Sequence, residues 1–275
     1  MKRILTGLAL AAAATLVTAT PAHAAPVNPA KALQKQFVKG HGVRISEKSR
    51  MSVDGKSLGT STTTGRLEFG KSGIVASDIR TSSPKGSLSS LFAAPPRIIS
   101  IDGHSYVQGG LYSEDLPDGK KWVRYNGQPS GSTYNQLIDI FEPKVLKLVL
   151  SHAKSSKSGL YKGSVTYKDL AKAYGSRLDG SFAKIKIDYA LKTNSKGLIT
   201  SLTSSWGLDF GILGNSRSTT ETRYVGWGSK VSIKAPSKSV WIDVKDLGED
   251  SDVPQEIPDN ALKEIPEGSL NSLAN

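Results

Sequence analysis

Gly103-His104-Ser105 puts a serine two residues after a glycine, the first half of the G-x-S-x-G turn on which α/β-hydrolases mount a nucleophile. That turn is strained, and side chains beside the serine clash. The fifth position here is Val107, whose β-branched side chain resists positive φ. The turn must also follow a strand and open a helix. After Ser105 the chain continues Tyr-Val-Gln-Gly-Gly, which favours a short strand and then a break. Asp102-Gly103 suits the tight turn of a hairpin between "RIISI" and "SYVQ", a reading without chemistry.

The other candidates fare no better. Ser151-His152-Ala153-Lys154 matches the S-x-x-K of penicillin-recognising enzymes, but the partner motifs S-D-N and K-T-G are absent, and Ser151 falls at a helix end. His41, His104 and His152 lie in separate segments without metal-ligand spacing. Asp115 and Asp118 sit in a turn-rich loop, and Asp139 and Glu142 flank a helix end, where capping and solvated roles are the default. "GILGN" at Gly211 lacks the lysine and spacing of a phosphate loop. The absence of cysteine excludes disulfides, thiol catalysis and Cys-ligated zinc. No catalytic residue, metal ligand or cofactor is assigned, and a non-enzymatic protein is expected.

The elements that would position such residues begin with an export signal. Lys2 and Arg3 precede an apolar run, Ile4 to Val17, and Ala22-His23-Ala24 gives an A-x-A cleavage pattern. Residues 1–24 read as a secretory signal peptide. Ala25 stands where a lipid-anchored protein would carry cysteine, so a secreted, extracytoplasmic protein with no transmembrane helix is expected. Charge is uneven. Asp243 to Asn275 holds nine acidic and two basic residues, leaving the body before it at about +17. Export argues against nucleic acid. An anionic membrane surface or wall polymer fits such a body, as does plain solubility from dispersed lysines.

The body reads as one domain over 25–246, followed by an acidic, Pro-containing disordered tail over 247–275. Asn28-Pro29 opens a helix reaching toward Gly40. "HGVRISEKSRMSV" alternates, with Val43, Ile45, Met51 and Val53 on one face. Asp54-Gly55 and Lys71-Ser72-Gly73 turn it into "TTTGRLEFG" and "IVASDIRTS". The "RIISI"/"SYVQ" hairpin and "KWVRY" follow. The middle reads as two apolar helices, "STYNQLIDIF" and "PKVLKLVLSHAK", the second opened by Pro143. "LYKGSVTY", the short helix "KDLAKAYG", "FAKIKIDYAL", "LITSLTSSWGL", "STTETRYVGW" and "KVSIKAP" complete the chain. Short turns make neighbouring strands antiparallel. Trp122, Trp206, Trp227 and Trp241 fall mostly within alternating strands, which favours packing over sugar stacking.

This order, with "DGHSYVQGG…LPDGKKWVRY", "NQLIDIFEPKVLKLVLSHA", "YKGSVTYKDLAKAYG" and "YVGWGSKVSIKAPSKSVWID", resembles the LolA-like superfamily, in particular the LppX/LprG-type envelope lipoproteins of actinobacteria. The resemblance implies an α+β fold: a single highly curved antiparallel β-sheet, a half-barrel, with helices covering the concave face. It implies binding or carriage of a lipid or lipidated ligand by a monomer. The alternative is an interaction or sensor module of the envelope that recognises a protein or wall polymer. The lipid-cavity lining is expected at Leu137, Ile140 and Phe141 on the first middle helix and Val145, Leu148 and Val149 on the second. Ile99, Ile101, Ile185, Ile187, Leu198 and Leu202 are expected opposite them. Whether that space is a cavity or a filled core does not follow from strand alternation.

Overall fold

The structure, a computed structural model, describes residues 27–83, 95–127, 132–133, 135–209, 214–248 and 251–257. The signal-peptide region, Gly211 to Leu213 of the "GILGN" stretch and most of the acidic tail lie outside the described residues. Among those described, α1 spans Pro29–Gln34. The strands β1 His41–Val53, β2 Lys56–Phe69, β3 Ile74–Ser82, β4 Arg97–Ile101, β5 His104–Gln108 and β6 Trp122–Asn126 follow. Next come α2 Pro143–Ser151, β7 Ala153–Lys157, β8 Leu160–Thr166, α3 Tyr167–Ala173, β9 Lys186–Thr193, β10 Ile199–Asp209, β11 Asn215–Lys230 and β12 Trp241–Asp243. All strands form one open, curved sheet in the order β12-β6-β5-β4-β3-β2-β1-β11-β10-β9-β8-β7. Every pairing is antiparallel except that of β12 with β6.

Local chemistry explains the turns. Asp54 and Gly55 both take positive φ, 47° and 76°, as do Asp102 and Gly103 at 52° and 75°. Two successive left-handed residues make the turn whose twist matches that of the flanking strands, and Asp-Gly is the pair that tolerates it. Asn28 caps α1 by accepting from the Ala30 and Lys31 amides, and Pro29 starts it. Pro143 does the same for α2 behind Glu142. Thr166 and Asp169 form a reciprocal capping box on α3.

Cross-strand register assigns the faces, because directly opposite residues share one. Val43, Leu67, Ser77, Ser100, Ser105 and Tyr125 form one row across six strands. Arg44, Arg66, Asp78, Ile99, Tyr106 and Arg124 form the adjacent row, on the opposite face. The first face is the concave one. Over β1, β2 and β8–β11 it carries the main core, covered by α1, α2, α3 and residues 137–141.

Several expectations are corrected. "STYNQLIDIF" forms no helix: its described residues are irregular, although Leu137, Ile138 and Ile140 are fully buried. α1 stops at Gln34, well short of Gly40. "KVSIKAP" is not a strand after Lys230. Val231 and Ile233 instead pack with Ala76, Ile99, Tyr106 and Trp122 on the face opposite the core. Residues 251–257 are not solvated tail: Val253 is buried with Tyr112 and Tyr125, and Tyr125 donates to the Pro254 carbonyl at 2.6 Å. Met51 keeps the face of Val43 and Ile45 that alternation gives it but is 42% exposed, because β1 runs on past the elements that cover those two.

The burial pattern of α2 sets a stability test. Leu146 is almost wholly buried, whereas Leu148 is half-buried at the edge of the core. Leu146→Ala is expected to cost about 2–5 kcal/mol in urea unfolding, from lost transfer energy and a new cavity. Leu148→Ala is expected to cost clearly less, and Leu148→Trp to be tolerated, because part of that side chain already faces solvent.

Candidate functional site

The concave face brings together most, but not all, of the expected lining. Leu137, Ile140, Phe141, Val145, Val149, Ile187 and Leu202 share one buried cluster with Val43, Leu67 and Phe69. Leu148 and Ile185 lie half-buried at its edge, Ile185 just ahead of β9 after a 3-10 turn. Ile99 and Ile101 do not belong to it: register puts them on the other face, and their concave-side neighbours are Ile98 and Ser100. Leu198 stands outside as well. A bulge between Ile199 and Ser201 shifts the alternation by one, so Ile199 rather than Leu198 points inward. At one end of the cluster the Phe69 ring lies 5.3–6.1 Å from those of Phe37, Phe141 and Trp227, and Trp227 Nε1 donates to the Ile199 carbonyl.

Above this apolar layer the same face becomes polar and stays buried. Glu47 follows Val43 and Ile45 on the inward side of β1 and is 1% exposed. Its Oε2 accepts from Thr133 Oγ1 at 2.7 Å and from Thr222 Oγ1 at 2.9 Å, while Oε1 has no hydrogen-bond partner among the described residues. Gln136 Nε2 donates to Thr222 Oγ1, and Ser204 Oγ donates to Gln136 Oε1 at 2.7 Å. Nearby, Asp139 accepts from the Ser132 amide and hydroxyl and from the Phe141 amide. Tyr174 receives the Asp139 amide and donates to the Leu137 carbonyl.

These bonds explain why no helix forms here. The Gln136 and Asp139 side chains and the Tyr174 hydroxyl take up backbone groups that a helix would use, and short polar side chains compete with helix in this way. Burial raises the carboxyl pKa of both Glu47 and Asp139, and hydrogen bonds only partly offset it.

The face then turns apolar again beyond that belt. Met51 pairs with Ser218, which pairs with Trp206; Val53 pairs with Ser216, which pairs with Leu208. These positions share a face with Glu47, Thr222 and Leu202, four and six residues away along the strands. Met51 is exposed, and Val53, Trp206 and Leu208 are half-buried. The Trp206 ring meets Tyr167 edge-on at 5.9 Å. Small residues, Gly59 opposite Met51 and the serines of β11, leave a shallow apolar shelf at the strand ends.

The residues first weighed for chemistry sit elsewhere. Ser105 lies in β5 and is fully buried. It donates to the Gly127 carbonyl and lies 3.2 Å from the Ser100 hydroxyl, which is the geometry of a sheet contact rather than of a nucleophile. Ser151 ends α2 and donates to the Leu148 carbonyl. Among the described residues no group of three or more metal-ligating side chains lies together, and no helix is long and apolar enough to cross a membrane.

Glu47 and the belt escaped the sequence reading, although the signal was there. A glutamate at the inward position of Val43-x-Ile45-x-Glu47 breaks an otherwise apolar alternation. The partners Thr133, Gln136 and Thr222 had no such signal.

No family model and no curated protein matches the chain. Solved structures similar to it include a LolA superfamily protein from Nitrosomonas europaea, with 9% identity and TM-score 0.31, covering 74% of this chain and 93% of that one. A DUF1329 family protein from Desulfovibrio piger has 12% identity and TM-score 0.27, covering 76% and 96%. Lipovitellin, from a structure concerned with lipid–protein interactions, has 13% identity and TM-score 0.25, covering 74% of this chain and 27% of its own. The fold stands on the strand order and register above. Likenesses at these TM-scores bear on neither ligand nor family membership.

The raised carboxyl of Glu47 yields a pH test. A folded-state pKa above the ordinary value means that the folded chain holds its proton more tightly. The stabilisation is therefore full below the usual carboxylate range and is lost as pH rises through the raised value. Asp78 and Asp243, held below their usual range by arginine partners, work oppositely and lose their contribution only in stronger acid. Glu47→Gln is expected to lessen the fall in urea midpoint as pH rises above the usual carboxylate range, leaving the part that belongs to Asp139, and to leave the variant at least as stable at neutrality.

Proposed function

We propose that the protein is an exported, non-enzymatic binder or carrier of a hydrophobic ligand, a lipid or lipidated molecule, whose acyl portion lies on the concave face. The observation that carries this reading is the shelf of Met51, Val53, Trp206 and Leu208. It is an apolar row on the inner side of a curved sheet, exposed at Met51 and half-buried at Val53, Trp206 and Leu208. A partly uncovered apolar row on the inner face gives a hydrophobic ligand a surface to bind. Methionine, with three rotatable bonds and a polarisable sulfur, adapts to an acyl chain of variable shape. The signal-peptide pattern over residues 1–24 supports export, and the absence of a cysteine at Ala25 supports release rather than a lipid tether. The resemblance of the sequence strings to LppX/LprG-type proteins points the same way.

Mass spectrometry of organic extracts from natively purified protein is expected to find co-purifying lipid. A dansylated fatty acid is expected to bind and to be displaced by that extract. Met51→Glu, at an exposed position, is expected to weaken probe binding by about tenfold while leaving the unfolding midpoint nearly unchanged. Lipid-free protein together with probe binding indifferent to Met51→Glu would overturn the reading in favour of an envelope interaction module.

A further inference from the structure

The face opposite the core carries an arrangement that the hydrophobic-ligand reading does not use. Arg80 of β3 and Arg97 of β4 are directly opposite each other in the ladder, and Gln108 of β5 continues the same rung. Like charges directly opposite on antiparallel strands repel and destabilise the pair. One carboxylate lies close by. Asp78 receives Arg97 Nε and Nη2 at 3.0 and 3.1 Å, and Arg66 Nη2 at 3.0 Å. Burial alone would raise the pKa of Asp78, but these two arginines hold it below its usual range, so its single charge is already shared between them. Among the described residues no ion pair joins Asp78 to Arg80.

Around this rung lies a cleft of about 510 Å³ lined by Arg80, Arg97, Gln108, Lys120 and Lys121, together with Pro96, Gly109 and Ser113. Among the described residues no acidic side chain lines it. Glu114, Asp115 and Asp118 follow in the adjoining loop, are exposed, and are not among the lining residues.

The cleft is also built rather than incidental. Arg97 is fixed by its two bonds to Asp78 and by the Trp122 ring, 5.1 Å from its guanidinium carbon. Three of its five N–H donors are left over. Lys120 is tethered by donating to the Ser239 carbonyl at 3.1 Å. Ser113 Oγ accepts from the Gly109 amide and donates to the Lys121 carbonyl, which ties the two sides of the cleft together. A fixed arginine fork with a second arginine and lysines beside it is a donor set that matches a tetrahedral, multiply charged oxyanion.

We propose that this cleft is a binding site for a phosphate group, held by Arg80, Arg97, Lys120 and Lys121. The bound charge relieves the repulsion between the paired arginines. The site stands on the opposite face from the Met51 shelf and does not depend on the function proposed for it.

Inorganic phosphate titrated into the purified protein at low ionic strength, followed by phosphorus-31 line broadening against a chloride blank of matched ionic strength, is expected to show saturable binding. The exposed pair Arg80→Gln/Lys121→Gln is expected to weaken it at least about tenfold. The same charge change placed far away, Lys154→Gln/Lys157→Gln on β7, is expected to leave it within about twofold. Urea midpoints establish that both variants are folded. Met51→Glu is expected to leave phosphate binding unaltered, which separates this site from the shelf. Competition by phosphatidylglycerol vesicles would identify a lipid-borne phosphodiester as the source, and phosphate binding without such competition a free phosphate. Absence of saturable binding to the wild-type chain, or equal weakening by the two double variants, overturns the proposal.

Discussion

Between β1 and β11 runs the seam on which the molecule depends. Every other antiparallel pairing joins strands that are neighbours in sequence: β1 to β6 form one meander and β7 to β11 another. Most links within each are short, although α3 lies between β8 and β9. The seam is the one antiparallel pairing between them, and it brings residues such as Glu47 and Thr222, far apart in the chain, into direct register. It also carries the buried polar belt. Glu47 from one meander and Thr222 from the other meet at one carboxylate oxygen, with Thr133 of the connecting segment completing the group. A slip of one rung would bury Lys48 in place of Glu47 and would turn Val43 and Ile45 outward, so the register is heavily specified.

The connecting segment shows how polar satisfaction can displace propensity. Apolar residues at Leu137, Ile138, Ile140 and Phe141 suit a buried helical face, and all four are buried. Yet Gln136, Asp139 and Tyr174 take up their backbone groups, and the chain crosses the core without regular structure. A buried irregular segment is stable only when its backbone polar groups find partners. Here side chains provide several of them. The cost is a pair of desolvated carboxyl groups, Glu47 and Asp139.

Strand positions were legible because a period of two, closed by Asp-Gly turns, leaves few choices. β1 and β3 have the bounds that alternation gives, and the Asp102-Gly103 hairpin forms as its turn chemistry requires. Faces were less legible. Ile98 and Ile99 are both aliphatic, so alternation in "RIISI" does not say which side meets the helices, and only the register to β3 decides it. Leu198 was misplaced because a bulge leaves no mark in the sequence of β10. Burial followed apolar character most closely on α2 and the adjoining segment, where Leu137, Ile140, Phe141, Val145 and Val149 are all buried. The basic cleft left little trace. Arg80, Arg97, Lys120 and Lys121 are separated by loops and meet only through sheet order.

An open sheet, unlike a closed barrel, has two free edges, and their composition bears on how the protein behaves at high concentration. At one edge β7 is exposed along most of its length, with Lys154 and Lys157 among its five residues. At the other, β12 is three residues long and runs parallel to β6, with Asp243 tied to Arg124 and the Arg124 guanidinium stacked on Trp241. A lysine-bearing edge repels an identical strand approaching it, and a short edge closed by an ion pair offers little backbone to extend. The curvature that shapes the concave face can therefore remain open without inviting other copies to continue the sheet.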